Sequence, residues 1–455
     1  MMERFDVRGF VQDKLTVHDL TAFCTADKAF LISPQHGTSL CMTRACLDDL
    51  REGRVSSETA FLLVQRALAS YEGSREPAPR TGIISPTFFL IDLTKGCNLQ
   101  CRYCFRELEA AAPHMTPPQI DLICAELIGY CRRHRIANLS IQAWGGEPLI
   151  ELPLIEQIRR RFDEAGMNVQ LMIETNATLI TPEVARRLKD SRVEIGVSID
   201  DCAAVHDAQR PFVGGQPSFE RVLAGIENLR QAGYTDIGSI TVVTRNTVAS
   251  LPEVIRCFAH DLRLPGIKLN LMRKTDRNRS LALELDDIPA YVDSLLQALR
   301  TCREEKVSIV EQNIAQRMAN LLFRPCSNIC NAHGCHGGYR MLSIGVDNGV
   351  YPCELSDIPA YRLGEVGQGD FSDMVQSAVD AQLEYFRPRQ TGECAGCPWL
   401  FYCRGGCRSA MKYDCGDPCR IDRTECAFNR ALYPRLVEIL MTDPDFAQYL
   451  QKGTC

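Results

Sequence analysis

A chain of 455 residues with 45% apolar content has room for two or three domains and the make-up of a soluble globular protein. Its formal charge of −6 leaves no electrostatic footprint for nucleic acid or an anionic membrane surface. No apolar run reaches the ~18 residues of a membrane span, and residues 1–10 lack the apolar stretch of a secretory signal, so a cytoplasmic protein is expected.

Cysteine is the outlier. There are 23, with 12 at or beyond Cys326, and in a reducing compartment such density points to metal rather than disulfides. Cys24, Cys124, Cys202, Cys257 and Cys302 lie among apolar residues and are read as small buried hydrophobes.

In chain order, residues 1–80 are expected to form a small α+β module, either a structural cap or a docking module for a peptide. The run 29–32 suggests a strand, and 57–70 has a helical stripe of Phe61, Leu62, Val64, Ala67 and Leu68. A polar linker with Gly73, Pro77, Pro79 and Gly82 follows.

Residues 81–325 alternate strand and helix. Strands are expected at 88–93, 139–144, 169–174, 193–199, 237–243 and 267–272, with helices between them at 117–134, 153–165, 182–189, 218–232 and 251–262. Pro117, Pro182 and Pro252 suit the first turn of a helix, and Thr181 and Ser218 are candidate N-caps. Repeated β-α units imply a parallel sheet with right-handed crossovers. Six units are too few for an eight-stranded barrel, so a partial (β/α)6 TIM-like barrel is expected, followed by helices at 286–305 and 308–323.

Residues 326–455 form the cysteine-rich part. A hairpin is expected over 341–353, turning at Asp347-Asn348-Gly349 in a type I′ turn, with helices at 371–387 and 424–441.

The chemistry is concentrated after the first strand, in Cys97-x3-Cys101-x2-Cys104. Most Fe–S clusters are tied by four thiolates, so a three-thiol loop leaves one iron open. Zinc, the plainer reading, wants four ligands in paired spacings. The loop resembles that of the radical S-adenosylmethionine (AdoMet) superfamily. There the open iron chelates AdoMet, and reduction cleaves it to a 5′-deoxyadenosyl radical. The resemblance extends to Gly145-Gly146-Glu147-Pro148 after the second strand, the family's site for the methionyl amino group. Paired glycines there allow close approach of a ligand, and Glu147 can take an ammonium group. Asn176, Ser198, Asp200 and Arg210 resemble the family's ribose and carboxylate contacts. The family often has Gly where this chain has Asp201. Tyr103 and Phe105 flank Cys104, where an aromatic commonly packs on the cofactor.

Cys394-x2-Cys397-x5-Cys403-x3-Cys407, with Cys330, Cys335 and the hairpin Cys353 upstream, resembles the SPASM extension of radical AdoMet enzymes that modify peptides and proteins. The hairpin Gly349 stands one residue nearer its cysteine than is usual in the family. The resemblance implies two auxiliary 4Fe–4S clusters and so three in all. Cys330, Cys335, Cys353 and Cys407 would hold one, and Cys394, Cys397, Cys403 and Cys426 the other. Cys326 competes with Cys330, and Cys415 and Cys419 with Cys426. A zinc-ribbon-like fold would use the same thiols.

The expected activity is maturation of a ribosomally made precursor peptide by a thioether or C–C cross-link. Its partners would be that precursor with its leader and a flavodoxin- or ferredoxin-type reductant, without nucleic acid or membrane. Anaerobic sulfatase-type oxidation of Cys or Ser to formylglycine is the alternative. Those enzymes carry Asp after the hairpin cysteine as proton acceptor, and here Glu354 stands in that place. A non-catalytic Fe–S electron-transfer protein is the third reading.

Overall fold

The apolar runs preceding each cysteine, glycine or asparagine motif become parallel strands whose C-terminal ends gather those motifs at one rim. A computed structural model describes residues 2–7, 10–12, 15–34, 37–71, 86–106, 112–322, 335, 337–338, 340–354, 358–383 and 392–452. The barrel strands are β1 (Phe88–Thr94), β2 (Leu139–Gly145), β3 (Val169–Thr175), β4 (Val193–Ser198), β5 (Gly238–Val243) and β6 (Gly266–Leu271). They pair in parallel in that order.

The sheet runs past both ends of this set. β7 (Val310–Glu311) adds parallel to β6, and β8 (Met341–Ile344) adds parallel to β1. β9 (Gly349–Tyr351) and β10 (Gly364–Glu365) then continue it antiparallel, so the cysteine-rich part shares the barrel's sheet.

Alternation along the strands separates two environments. On β3, Val169, Leu171 and Ile173 are buried under the helices, while Gln170, Met172 and Glu174 take the other face. On β4, Val193, Ile195 and Val197 are buried, and Glu194, Gly196 and Ser198 share the inner face. The outer layer includes helices Pro117–His134, Leu152–Glu164, Pro182–Asp190 and Phe219–Gln231, packed through residues such as Ile123, Ile155, Leu188 and Ile226.

The N-terminal residues form an antiparallel sheet ordered Glu3–Val7, Leu20–Cys24, Lys28–Ile32, Ser39–Thr43, a smaller three-stranded sheet, and helices Arg44–Arg51 and Ser57–Gln65. They have their own core around Leu31, Leu47, Leu50 and Leu63. Phe23 nevertheless stacks on Trp399 at 5.2 Å, and Lys28 Nζ donates to Met441 O at 2.9 Å, which fixes this module on the C-terminal segments.

Several expectations need correction. The helix expected over 57–70 ends at Gln65, because Ala67 turns left-handed (φ 52°) and Ala69–Tyr71 pairs as a strand with Leu15–Val17. Its buried side is Ala60 and Leu63, whereas Phe61 is 63% exposed. The helix expected from 308 begins at Gln312, after the short β7.

Ser218 precedes its helix without capping it: its hydroxyl donates to Arg210 O at 2.6 Å, and Asp207 Oδ1 accepts from Ser218 N and Phe219 N instead. Thr181 does cap its helix, accepting from Val184 N. The hairpin turn is not type I′. Asn348 alone is left-handed (φ 59°), Gly345 N donates to Gly349 O, and Asn348 N donates to Gly345 O, the three-residue form with one αL residue.

Cys24, Cys124 and Cys302 are buried, but Cys202 is exposed and Cys257 half-buried. Helices Ala203–Gln209, Arg245–Ala249, Arg408–Cys415 and Pro444–Leu450 carried no expectation. The linker at 73–82, Cys326, Cys330 and the end of the helix expected to 387 lie outside the described residues.

Candidate active site

The cysteine loop is strapped down on two sides. Gly146 N donates to Thr94 O and Glu147 N to Gly96 O, each at 2.9 Å, tying the loop after β2 to the loop after β1. On the other side Gln100 N donates to Pro211 O, Arg102 N to Gln209 O and Val213 N to Asn98 O. A Cβ on Gly146 would stand 2.2 Å from Gly96 O, and one on Gly145 2.5 Å from Thr94 O. The close approach that needs these glycines is made by the cysteine loop itself, ahead of any ligand.

Glu147 is fully enclosed. Its carboxylate accepts from Leu149 N at 3.1 Å, Thr175 Oγ1 at 2.6 Å and Asn176 N at 2.8 Å. Burial raises its pKa, and these three donors and Arg210 oppose the rise. It joins the ends of β2 and β3, and a carboxylate has about four lone-pair sites, which leaves capacity for an ammonium group. Asn176 reaches back to the cysteine loop: Nδ2 donates to Asn98 Oδ1 at 2.8 Å and lies 4.0 Å from Cys97 Sγ.

Past β4, Tyr103 donates to Asp200 Oδ2 at 2.6 Å and Arg210 donates to the same tyrosine oxygen. Asp200 Oδ1 also accepts from Val242 N at 3.1 Å and lies 3.8 Å from Arg210. Burial raises the Asp200 carboxyl, with Arg210 and Tyr103 pulling it back. Asp201, where the family often has Gly, accepts from Cys202 N at 2.6 Å and from Ser250 Oγ. His206 is buried behind them and held down at about 3 by burial and by Arg210, so it is neutral; it contacts Asp200 N and Ser218 Oγ. Ser198 ends β4 on the inner face.

These residues fit a three-thiol cluster and AdoMet. Burial pushes the Cys97 thiol to about 11 and Cys101 to about 12, and the charge of Cys104 adds to both rises. Cluster assembly must therefore displace protons from this loop. Arg210 Nε is buried without a hydrogen-bond partner, a donor left for a carboxylate. Among the described residues no three His, Cys, Asp or Glu side chains converge as tightly as one metal ion requires. A four-iron cluster is a larger body held by thiolates spaced around it.

Two groups form among the described C-terminal cysteines. Cys335, Cys353 and Cys407 lie within electrostatic reach of one another, as do Cys394, Cys397 and Cys426, with Cys403 beside Cys426. Burial pushes Cys403 and Cys407 to about 12. Cys415 and Cys419 are exposed, and Cys415 Sγ donates to Met411 O at 3.3 Å.

Inside the sheet is a cavity of about 720 Å³, lined by Gln142, Trp144, Glu174, Lys268, Met341 and Glu354 among others. Arg273 donates to Glu354 and stacks over the Phe105 ring at 4.7 Å. Burial would raise Glu354, but Arg273 and then Lys268 and Arg106 hold it below the usual carboxylate range. Phe105 also packs on Tyr413, 5.3 Å away. The sequence motifs assign no role to Asn98, Thr175, Lys268 or Arg273. Glu174 and Lys268, charged residues inside expected strands, were the available signal for the cavity wall.

Residues 91–258 match the model of the Radical SAM superfamily. The chain carries a radical SAM domain. It is 27% identical over 363 residues to mycofactocin maturase MftC of Mycolicibacterium smegmatis, covering 78% of this chain and 87% of that protein. The fold is shared with anSMEcpe, solved with bound AdoMet, at a TM-score of 0.67 and 19% identity over 78% of this chain and all of that one. It is also shared with Streptococcus suis SuiB, solved with its precursor peptide SuiA, at a TM-score of 0.55 and 12% identity over 92% of this chain and 99% of that one.

The domain over residues 91–258 is that of a superfamily of enzymes that use AdoMet and a 4Fe–4S cluster. Cys97, Cys101 and Cys104 follow β1 within the matched residues. Among the described residues no helix is long and apolar enough to cross a membrane.

Proposed function

We propose that this radical SAM enzyme is a peptide maturase that forms a thioether or C–C cross-link in a ribosomally made precursor. The carrying observation is the cavity that reaches Glu354, the residue after Cys353, on the inner side of the sheet that bears the cysteine loop. A peptide segment there would lie inside the sheet, against Glu174, Lys268 and Glu354. The similarity to MftC, a maturase by name, supports the same reading.

In this reading Cys97, Cys101 and Cys104 would hold a 4Fe–4S cluster that, with AdoMet and a flavodoxin- or ferredoxin-type reductant, would supply radical chemistry able to take hydrogen from an unactivated C–H bond. The protein binds and orients. Asn176 and Glu147 hold the cysteine loop against β2 and β3. Arg210 offers its unpartnered Nε to the AdoMet carboxylate. Tyr103, buried between Asp200 and Arg210, closes that side against water. Two auxiliary 4Fe–4S clusters would take Cys330, Cys335, Cys353 and Cys407, and Cys394, Cys397, Cys403 and Cys426. Residues 1–80 would dock the leader, and Ser39–Thr43, an end strand of its sheet, offers an edge for strand addition.

The carboxylate of Glu354 beside Cys353 favours a second reading, oxidation of a Cys or Ser to formylglycine. The deciding experiment is mass spectrometry after anaerobic incubation with AdoMet and reductant. A synthetic copy of the peptide encoded nearest the gene is run beside a sulfatase-type peptide. Loss of two hydrogens per site in the first peptide alone is expected; conversion of the sulfatase-type peptide alone would replace the maturase reading with the second.

A further inference from the structure

We propose that Glu174 is the proton acceptor of the barrel cavity, taking the proton when an N–H, O–H or S–H bond of the bound peptide breaks heterolytically. The inference deepens the peptide-maturase reading and rests on it. In this step the hydrogen passes to a Glu174 carboxylate oxygen, the bonding electron pair stays on the peptide heteroatom, and no electron leaves the two groups.

Position comes first. Glu174 lies on the inner face of β3, directly before Thr175 and Asn176, which hold Glu147 and the cysteine loop. Its side chain lines the 720 Å³ cavity, so it stands on the wall a peptide would touch and one residue from the strand end that carries the AdoMet contacts. Gly196 on β4 makes the room: a Cβ there would meet Ile240 Cδ1 at 3.2 Å and Glu174 Cγ at 3.6 Å.

The neighbours leave the role to Glu174. Glu354, the carboxylate the motif comparison favours, is already engaged by Arg273, whose guanidinium is anchored on Phe105. A carboxylate in a buried ion pair gives up that pairing to accept a proton. Facing Glu174 are Gln142 from β2, Lys268 from β6, Arg273 beyond β6 and Glu354 beyond the hairpin. Burial is the largest influence on its carboxyl and raises it; Lys268 opposes the rise, Glu354 adds to it, and Gln142 and Arg273 oppose it. A carboxylate made more basic in this way accepts a proton more readily near neutral pH. The charges acting on this carboxyl have both signs, Lys268 and Arg273 against Glu354, so one added proton is not met by a field of one sign.

Two measurements test this on the loaded enzyme. Infrared difference spectra between the unsubstituted chain and Glu174→Gln, taken across pH, follow one protonated carboxyl without any peptide. The expected midpoint lies above the ordinary ~4.3 of Glu, and a midpoint at or below it overturns the proposal. With the synthetic gene-neighbour peptide, the ratio of modified peptide to 5′-deoxyadenosine should fall about 100-fold in Glu174→Gln and recover in part in Glu174→Asp. An unchanged ratio in Glu174→Gln, or a loss confined to Glu354→Gln, overturns it. Absence of product from the unsubstituted chain sinks the maturase reading and the proposal with it; the infrared midpoint tells that case apart from a misassigned acceptor.

Discussion

Tyr103 bridges two buried charges: its hydroxyl donates to Asp200 at 2.6 Å and accepts from Arg210, joining the cysteine loop to the end of β4. A phenylalanine would keep the ring and remove both bonds, leaving Asp200 and Arg210 each short of a partner. Tyr103→Phe should cost about 1–3 kcal/mol, read as a lower urea midpoint at unchanged slope. The KM for AdoMet should rise, because Arg210 loses one of the contacts that aim it.

Gly146→Ala should empty the cysteine loop. The new Cβ falls 2.2 Å from the Gly96 carbonyl oxygen, a backbone atom that cannot rotate away. The expected result is a loss of bound iron relative to the unsubstituted chain. Gly129→Ala, in helix Pro117–His134 with nothing within 4 Å of its Cβ, should keep the iron and gain up to ~1 kcal/mol from helix propensity. Equal iron in both variants would contradict the strapping of the loop against β2.

His206 gives a pH dependence of definite sign. Its folded pKa is about 3 against an ordinary 6.5, from burial and then Arg210. Between those values the unfolded chain binds a proton that the folded chain refuses. The stability from this group is therefore present above pH 6.5 and declines as pH falls, by about 1.4 kcal/mol per unit. His206→Gln should flatten the pH slope of unfolding free energy between about pH 4.5 and 6.5 by that amount. Identical slopes in the two proteins would contradict a buried neutral imidazole.

Phe23 couples the N-terminal module to the C-terminal helices through its stack on Trp399, which itself stacks on Tyr433 at 4.9 Å. Phe23→Ala should cost about 3–5 kcal/mol, measured by denaturant unfolding. Deleting residues 1–80 would expose the same stack, so a loss of precursor binding on deletion reports stability as well as leader docking. Phe61→Ser, on the exposed side of helix Ser57–Gln65, should leave unfolding within about 0.5 kcal/mol.

The barrel was legible because each strand is a short, largely apolar run, and a motif follows each of the first four. The expected starts and stops of β1 to β6 fall within one residue of those observed. Local competition explains the failures. Asn348-Gly349 looks like a two-residue turn, yet Gly349 is taken by the strand that carries Cys353, and Asn348 alone turns left-handed. Ser218 resembles an N-cap, but Arg210 O claims its hydroxyl across the chain. Phe61 and Leu62 suggest an apolar stripe, while tertiary packing selects Ala60 and Leu63.

In the site, the cysteine, glycine and glutamate motifs could be read through the family resemblance that they carry together. The Arg273–Glu354 pair and the Glu174–Lys268 wall could not, because each joins residues about 80 or more positions apart.

The central claim is that hydrogen leaves a peptide held in the barrel cavity. Its most direct test is incubation of the loaded enzyme with AdoMet, reductant and the gene-neighbour peptide deuterated at its carbon-bound positions. The account predicts deuterium in the recovered 5′-deoxyadenosine together with loss from the peptide, per modified site, of one deuterium and one protium for a thioether or of two deuteriums for a C–C bond. Unlabelled 5′-deoxyadenosine beside an unchanged peptide would contradict it.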